Sequence, residues 1–402
     1  MTVEPLDLTA LSVVLTAGCN LRCAYCYQNA KQARSMDWDT LRAALDLLRD
    51  ERRRRVRLLF TGGEPLLRFG SIERAVAYVD AFRPPRLDVQ YELVTNGTLL
   101  GDEAAAFLAR HRFEVQVGFD GVPAAQDLRG RGTFARLDPL LDALRTTHPA
   151  FFRDRVSVAI TVVPRTIPTL ADSVEYVLSK GVSEILISPA ITQEPGWRHE
   201  ASWEIDRQLG QIYRASLDRY RRTGEVPLPL FRKTGRSRRL RPQSLPMCPV
   251  ADRRHVVVDV DGQVYGCVLF PESYQRFATP LLRSSLEPLR LGDVRAPDLP
   301  RRLAAFRSVA RLTPLFNAKE EKYSSYQSCR TCRSLHACAI CPVSIAHQPG
   351  NDDPRRVPDF PCAFTRLALA YRDRFPRQPC LADLLRPHAR PPAAIRKLMT
   401  TR

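Results

Sequence analysis

The sequence predicts an α/β fold: a partial (β/α)6 TIM-like barrel with a C-terminal cysteine-rich extension. Three observations predict it. Six apolar, β-branched runs alternate with helix-patterned runs between Leu11 and about Thr223. That alternation implies a parallel sheet with helices outside and right-handed crossovers. Each motif with chemical potential in this part follows a strand directly, where parallel α/β folds keep their active sites. Eight of the eleven cysteines lie beyond residue 246, after the alternation has stopped. Eight strand–helix pairs would close a barrel; six leave it incomplete.

The first strand is Leu11–Leu15, and a cysteine-bearing loop follows it. Trp38 to Arg52 has helical spacing, with Leu41, Ala44, Leu45 and Leu48 on one face. The second strand is Val56–Phe60. Ser71 is the expected N-cap of a helix running to Phe82. The third strand is Val89–Thr95, closed by Asn96-Gly97, and a helix starts near Asp102. Phe113–Phe119 is the fourth strand, ending at Asp120-Gly121, with a helix over Phe134 to Thr146. Val156–Val163 and Glu184–Ser188 are the fifth and sixth strands, followed by helices over 168–180 and Trp203 to Arg222. Residues 223–246 are rich in Pro, Arg and Gly and read as a linker. The expected division is a barrel over 1–222, the linker, an extension over 247–365 and a tail over 366–402.

A chain of 402 residues has room for two or three domains and a sizeable core. Apolar content of 44% and charged content of 26% are those of a globular protein. No apolar run approaches the ~20 residues that cross a bilayer, so no membrane partner is expected. Met1 to Asp7 lack the basic and apolar regions of a signal peptide, which places the protein in the cytoplasm. There, eleven cysteines point to metal or redox chemistry, not to disulfides. The net charge of +18 invites a nucleic-acid partner. The excess is spread along the chain as arginine, without a stripe of interleaved aromatics, and no nucleic-acid partner is expected. One dense run, Arg232 to Arg241, reads as a solvated linker or as the docking site of an acidic peptide.

The chemistry starts at Cys19-Asn-Leu-Arg-Cys23-Ala-Tyr-Cys26. Three thiolates just past a strand end can hold one inorganic centre. Tetrahedral zinc or a cubane cluster takes four protein ligands, so three leave a corner open for another molecule. A zinc knuckle with a distant fourth ligand is the alternative. The second strand ends in Thr61-Gly-Gly-Glu-Pro65. Its glycines let the backbone approach a ligand, and its carboxylate can pair with an ammonium group.

Cys-x3-Cys-x2-Cys followed by Gly-Gly-Glu-Pro resembles the radical SAM superfamily. The resemblance implies that Cys19, Cys23 and Cys26 hold a [4Fe-4S] cluster, and that S-adenosylmethionine chelates its fourth iron. It implies that Gly62, Gly63 and Glu64 hold the methionine amine and that Tyr25 lies against the adenine. The cofactor then supplies a 5′-deoxyadenosyl radical by reductive cleavage, with an external electron donor such as flavodoxin or ferredoxin. Thr95-Asn96-Gly97 matches the family's third-strand motif. Phe119-Asp120-Gly121, Asp127-Leu-Arg129 and Gly132-Thr133-Phe134 resemble the fourth-strand run of peptide-modifying members, with Gly118 where a cofactor-contacting serine is usual. Asn96 and Asp120 are expected polar contacts of the cofactor, or else turn caps before glycine. Val162 is expected to pack on the adenine by analogy, or to be plain core.

The remaining cysteines are 248, 267, 329, 332, 338, 341, 362 and 380. Arg254 to Val260 and Val264 to Cys267 flank Asp261-Gly262, a strong hairpin signal. Two later Cys-x-x-Cys pairs read by themselves as a zinc ribbon. With Cys248, Cys267 and Cys362 they resemble the SPASM extension of radical SAM enzymes, over about residues 246–365. The departure is two residues, not three, between Cys338 and Cys341. By analogy Cys248, Cys267 and Cys341 bind a first auxiliary cluster, and Cys329, Cys332, Cys338 and Cys362 a second. His255 is either a fourth ligand of the first or a structural histidine; Cys380 is a lone tail thiol.

The expected function is hydrogen abstraction from a ribosomally made peptide, which is then crosslinked or oxidised. An anaerobic sulfatase maturase is the alternative, but Val268 stands where that subfamily has an aspartate base after the cysteine matching Cys267. A basic zinc-binding nucleic-acid module is the alternative of another class, and it leaves Gly62 to Pro65 unexplained. With the first strand near Leu11, no N-terminal leader-binding domain is expected. The peptide, with an acidic leader, is then bound by the barrel, extension and linker, or through a separate leader-binding protein.

Overall fold

Six parallel strands form the spine of the computed structural model, which describes residues 8–28, 31–49, 55–192, 197–233, 254–271, 283, 287–303, 315, 318–348 and 350–378. They are β1 (Ala10–Thr16), β2 (Arg55–Gly62), β3 (Asp88–Thr95), β4 (Glu114–Gly118), β5 (Val156–Val162) and β6 (Glu184–Pro189). The order is β6-β5-β4-β3-β2-β1, each strand beside its predecessor. β1 is buried along its whole length, as a nearly continuous apolar run in a parallel sheet must be. β5 alternates instead: Val156, Val158, Ile160 and Val162 are buried, while Ser157, Ala159 and Thr161 are half-buried.

The crossover helices are α1 (Trp38–Asp46), α2 (Phe69–Phe82), α3 (Asp102–Arg110), α4 (Pro123–Gln126), α5 (Thr133–Thr147), α6 (Pro149–Arg155), α7 (Leu170–Ser179) and α8 (Ser202–Thr223). α1 is capped by Asp37, whose carboxylate accepts from the Thr40 amide at 2.7 Å. It buries Leu41, Ala44 and Leu45 as its spacing predicts, but ends at Asp46 and not at Arg52. There the Leu47 amide turns back to the Ala44 carbonyl, tightening the last turn. α2 starts before Ser71, because a 3-10 turn over Pro65–Arg68 leads straight into it.

The hairpin predicted around Asp261-Gly262 forms, and it joins the barrel sheet. β7 (His255–Val258) adds to the free edge of β1 in parallel, Ala10 opposite His255 and Val13 opposite Val258. β8 (Gln263–Tyr265) and β9 (Arg290–Asp293) follow antiparallel, giving nine strands in one sheet among the described residues. The extension then passes through α9 (Pro342–Ala346) to α10 (Asp359–Arg374), which runs through residue 365. α10 returns to the barrel and packs on α8, where Gly210 leaves room for Tyr371. Phe375 stacks on Phe231 with centroids 5.3 Å apart, and Tyr213 meets both rings edge-on. Among the described residues no helix is long and apolar enough to cross a membrane.

Candidate functional site

The ends of β2 to β6 and the loop after β1 enclose a cavity of about 450 Å³. Cys19, Cys23 and Cys26 border it together with Tyr25, Gly62, Gly63, Asn96 and Arg129. The cysteine loop is held close to β2 by backbone bonds: the Gly63 amide donates to Thr16 O at 2.8 Å, and the Glu64 amide to Gly18 O at 2.9 Å. A Cβ on Gly62 would run into the Thr16 carbonyl, and one on Gly63 into the Gly18 carbonyl. The two glycines therefore let chain approach chain as well as facing the cavity.

Glu64 does not face the cavity. It is fully buried and its carboxylate is committed to protein donors. It accepts from the Leu66 amide (3.0 Å), the Thr95 hydroxyl (2.7 Å) and the Asn96 amide (2.7 Å). Burial pushes its pKa up, and these three bonds pull against that rise. Its observed role is to staple the end of β2 to the end of β3. Asn96 is thereby fixed with its amide nitrogen 3.7 Å from Cys19 Sγ and 2.9 Å from Asn20 Oδ1, to both of which it donates.

Asp120 is also turned inward, where it is a hub. Arg129 donates to it twice, Nη2 to Oδ1 at 2.8 Å and Nε to Oδ2 at 3.0 Å. The Tyr25 hydroxyl and the Thr161 amide donate to the same carboxylate. Arg129 and Tyr25 border the cavity; Asp120 holds them there from behind. Burial disfavours the Arg129 charge, but Asp120 and Tyr25 outweigh it and raise the pKa. Its guanidinium lies 5.6 Å from the Tyr25 ring centroid. Val162 does not line the cavity; it is buried in the core, on the same strand face as Val158 and Ile160. Its neighbour Thr161, on the opposite face, borders the cavity. Sequence reasoning gave Arg129 and Thr161 no role of their own; the available signals were the place of Arg129 in the fourth-strand run and the period of two along β5.

The thiols suit a polynuclear centre. Burial pushes the Cys23 thiol up to about 11 and raises Cys26, whereas Arg129 and Lys31 favour the thiolates. Deprotonation on binding a centre would thus meet positive charge already in place. Among the described residues no three His, Cys, Asp or Glu side chains gather closely enough for a single metal ion.

Cys329, Cys332, Cys338 and Cys362 meet around a second, smaller cavity in the extension. A two-residue ladder, Tyr323–Ser324 with Gln327–Ser328, presents Cys329, whose amide donates to Lys322 O at 3.0 Å. Cys362 comes from the first turn of α10. Burial pushes Cys329 up to about 12 and raises Cys338. Tyr326 ties this region to the barrel: its ring stacks on His199, centroids 3.7 Å apart, and its hydroxyl donates to Asp359 O at 3.2 Å. Cys267, after β8, and Cys341, before α9, are apart from this set. Tyr27 lies within electrostatic reach of both Cys26 and Cys267. Cys248, Cys380 and the run 234–241 fall outside the described residues. His255 sits 2.7 Å from Ser12 Oγ at the start of β7, the end of the sheet remote from the cysteine loop.

Comparison with known proteins bears on this geometry. The Radical SAM superfamily profile matches residues 13–177. An uncharacterized protein of Methanocaldococcus jannaschii is 31% identical over 179 residues, 44% of this chain and 60% of that protein. The chain therefore spans under two thirds of that relative. A GTP 3′,8-cyclase of a Mycobacterium species is 30% identical over 281 residues, 66% of this chain and 76% of that enzyme. The cysteine-type anaerobic sulfatase-maturating enzyme of Clostridium perfringens is 28% identical over 144 residues, 33% of this chain and 39% of that enzyme. Among solved structures, native anSMEcpe with bound AdoMet and Cp18Cys peptide superposes with a TM-score of 0.68 at 17% identity, covering 90% of this chain and 96% of that one. Streptococcus suis SuiB bound to precursor peptide SuiA gives a TM-score of 0.53 at 12% identity, over 88% and 76% of the two chains. At these identities the superpositions establish the fold.

Proposed function

The chain belongs to the radical SAM superfamily, whose members use S-adenosylmethionine and a [4Fe-4S] cluster, and on that premise we propose that it cleaves S-adenosylmethionine and turns the resulting radical on a peptide. One observation carries the reading: Cys19, Cys23 and Cys26, the Gly62–Gly63 backbone and a charged Arg129 border one cavity at the strand ends. In this reading the three cysteines hold the cluster. Cluster and cofactor together supply a 5′-deoxyadenosyl radical on one-electron reduction from a donor such as flavodoxin or ferredoxin.

The protein's own residues place and shield. Arg129, held by Asp120, offers a fixed cation to the cofactor's carboxylate. The Gly62–Gly63 backbone and the Asn96 amide offer polar contacts. Tyr25, with its hydroxyl fixed on Asp120, presents a ring to the adenine. Leu186 and Ile191 line the same cavity and help exclude water. Ala159 and Ser188 are small and leave room for a substrate side chain.

A peptide substrate is supported by the fold, since anSMEcpe and SuiB are each described with a bound peptide. Cys329, Cys332, Cys338 and Cys362 would bind one auxiliary cluster, and Cys248, Cys267 and Cys341 another, within an extension over about 247–365. Crosslinking or oxidation of the peptide remains the preferred chemistry. A sulfatase-maturase reaction is disfavoured by Val268, which packs near Val14 and Val257 and offers no base. Leader recognition is assigned to the basic run 232–241 or to a separate leader-binding protein.

The 30% identity to a GTP 3′,8-cyclase favours a second reading, a nucleotide substrate. The two separate in one experiment. The reconstituted enzyme is incubated anaerobically with S-adenosylmethionine and reductant, and 5′-deoxyadenosine is measured with GTP or with a short peptide encoded beside the gene. Stimulation by the peptide, with loss of hydrogens from it by mass spectrometry, supports the proposal. Stimulation by GTP alone overturns it in favour of the nucleotide.

A further inference from the structure

The cavity shared by Cys329, Cys332, Cys338 and Cys362 is walled by cations. Lys319, Lys322 and Arg366 border it, and no Asp or Glu does so among the described residues. Lys319 is 4% exposed and Lys322 1%. Lysine is almost never buried this far without a compensating group, because desolvating an ammonium is expensive. Lys319 donates to the Cys338 carbonyl, and Lys322 donates to the Pro354 carbonyl at 3.1 Å. Burial lowers the pKa of both, that of Lys322 to about 8, while the sulfurs of Cys338, Cys329 and Cys332 beside Lys319, and Cys329, Asp353 and Glu321 beside Lys322, pull the other way. Deprotonation of the sulfurs on binding a centre would add negative charge beside both ammonium groups. Four thiolates around a [4Fe-4S] core carry net negative charge.

We propose that Lys319 and Lys322 are built-in counter-ions of an anionic iron–sulfur centre on these four cysteines, and that they raise its reduction potential. The inference rests on the reading that these cysteines bind a cluster. Its physical basis is the charge change on reduction. The oxidised centre takes up one electron, supplied in the test by dithionite, and becomes more negative by one charge. Positive charge in the wall of the same buried cavity stabilises the reduced form more than the oxidised form. The two lysines therefore make this centre a better electron acceptor than the same thiolates would be alone.

The test uses the full chain, reconstituted anaerobically with iron and sulfide, in a Cys19→Ala/Cys23→Ala/Cys26→Ala background that removes the first centre's signal. Iron is counted, and midpoint potentials are read by redox titration followed by electron paramagnetic resonance. Lys319→Met and Lys322→Met should keep the iron and move one midpoint to more negative potential, further in the double variant. Lys319→Arg and Lys322→Arg should return it toward the parent value, which a purely packing role would not do. Should the double variant not fold, the single variants decide. Full iron with unmoved midpoints in the methionine variants overturns the inference. Separately, Cys329→Ala/Cys332→Ala should lose about four irons; no loss there overturns the cluster assignment itself, whatever the lysines do.

Discussion

Arg129 lies across the backbone of Gly118, in the space that any side chain at residue 118 would enter. From there it makes its double contact with Asp120 and reaches the Ala159 carbonyl at 3.1 Å. The glycine that departs from the family's serine is thus the condition for the arginine's position. Gly118→Ser should push Arg129 off Asp120 and leave a buried carboxylate without its partner, a loss of about 3 kcal/mol. The expected result is lower stability together with at least about tenfold weaker S-adenosylmethionine binding, followed by chemical denaturation and calorimetry. Wild-type values for both would contradict the arrangement.

Glu64 makes a different prediction from the one its motif invites. All three of its hydrogen bonds are accepted from protein donors, so Glu64→Gln turns an NH2 group toward one of them. The expected loss is about 1–3 kcal/mol of stability, the range for a buried donor left unsatisfied. Cofactor affinity of the folded protein should change by less than about threefold, under 1 kcal/mol. A large loss of affinity at unchanged stability would show that the carboxylate reaches the cofactor after all.

His255 should behave as a structural histidine. Burial, and secondarily Arg57, lowers its pKa to about 4 from an ordinary 6.5. The folded state then binds fewer protons than the unfolded state between those values. Its contribution is complete above 6.5 and is lost as pH falls through about 4. Over that window the wild type should lose about 2–3 kcal/mol more than His255→Gln does, measured by denaturant titration at several pH values. Iron content of the variant should match the wild type; a deficit would make His255 a cluster ligand.

What was legible in the sequence was local. Cys19, Cys23 and Cys26 declare themselves by spacing, and the six strands by apolar runs ended at Gly, Asn, Asp or Pro. What was not legible depended on direction or distance. Nothing around Glu64 reports whether the side chain turns toward the cavity or into the core; for Val162 the apolar face shared with Val158 and Ile160 was the signal. Pairing of β7 with β1 joins residues 245 positions apart, Ala10 with His255, and leaves no short-range signal. The link between Gly118 and Arg129 was hidden for another reason: a glycine gives no sign of which side chain fills its empty side.

The most direct test of the account is cofactor cleavage itself. Purified without oxygen, loaded with iron and sulfide, and given S-adenosylmethionine and dithionite, the protein should be brown and should release 5′-deoxyadenosine and methionine. It should hold about twelve irons if all three centres are loaded. Cys19→Ala/Cys23→Ala/Cys26→Ala should abolish the release and keep about eight irons. A colourless, zinc-containing protein that leaves S-adenosylmethionine intact would contradict the account at its root.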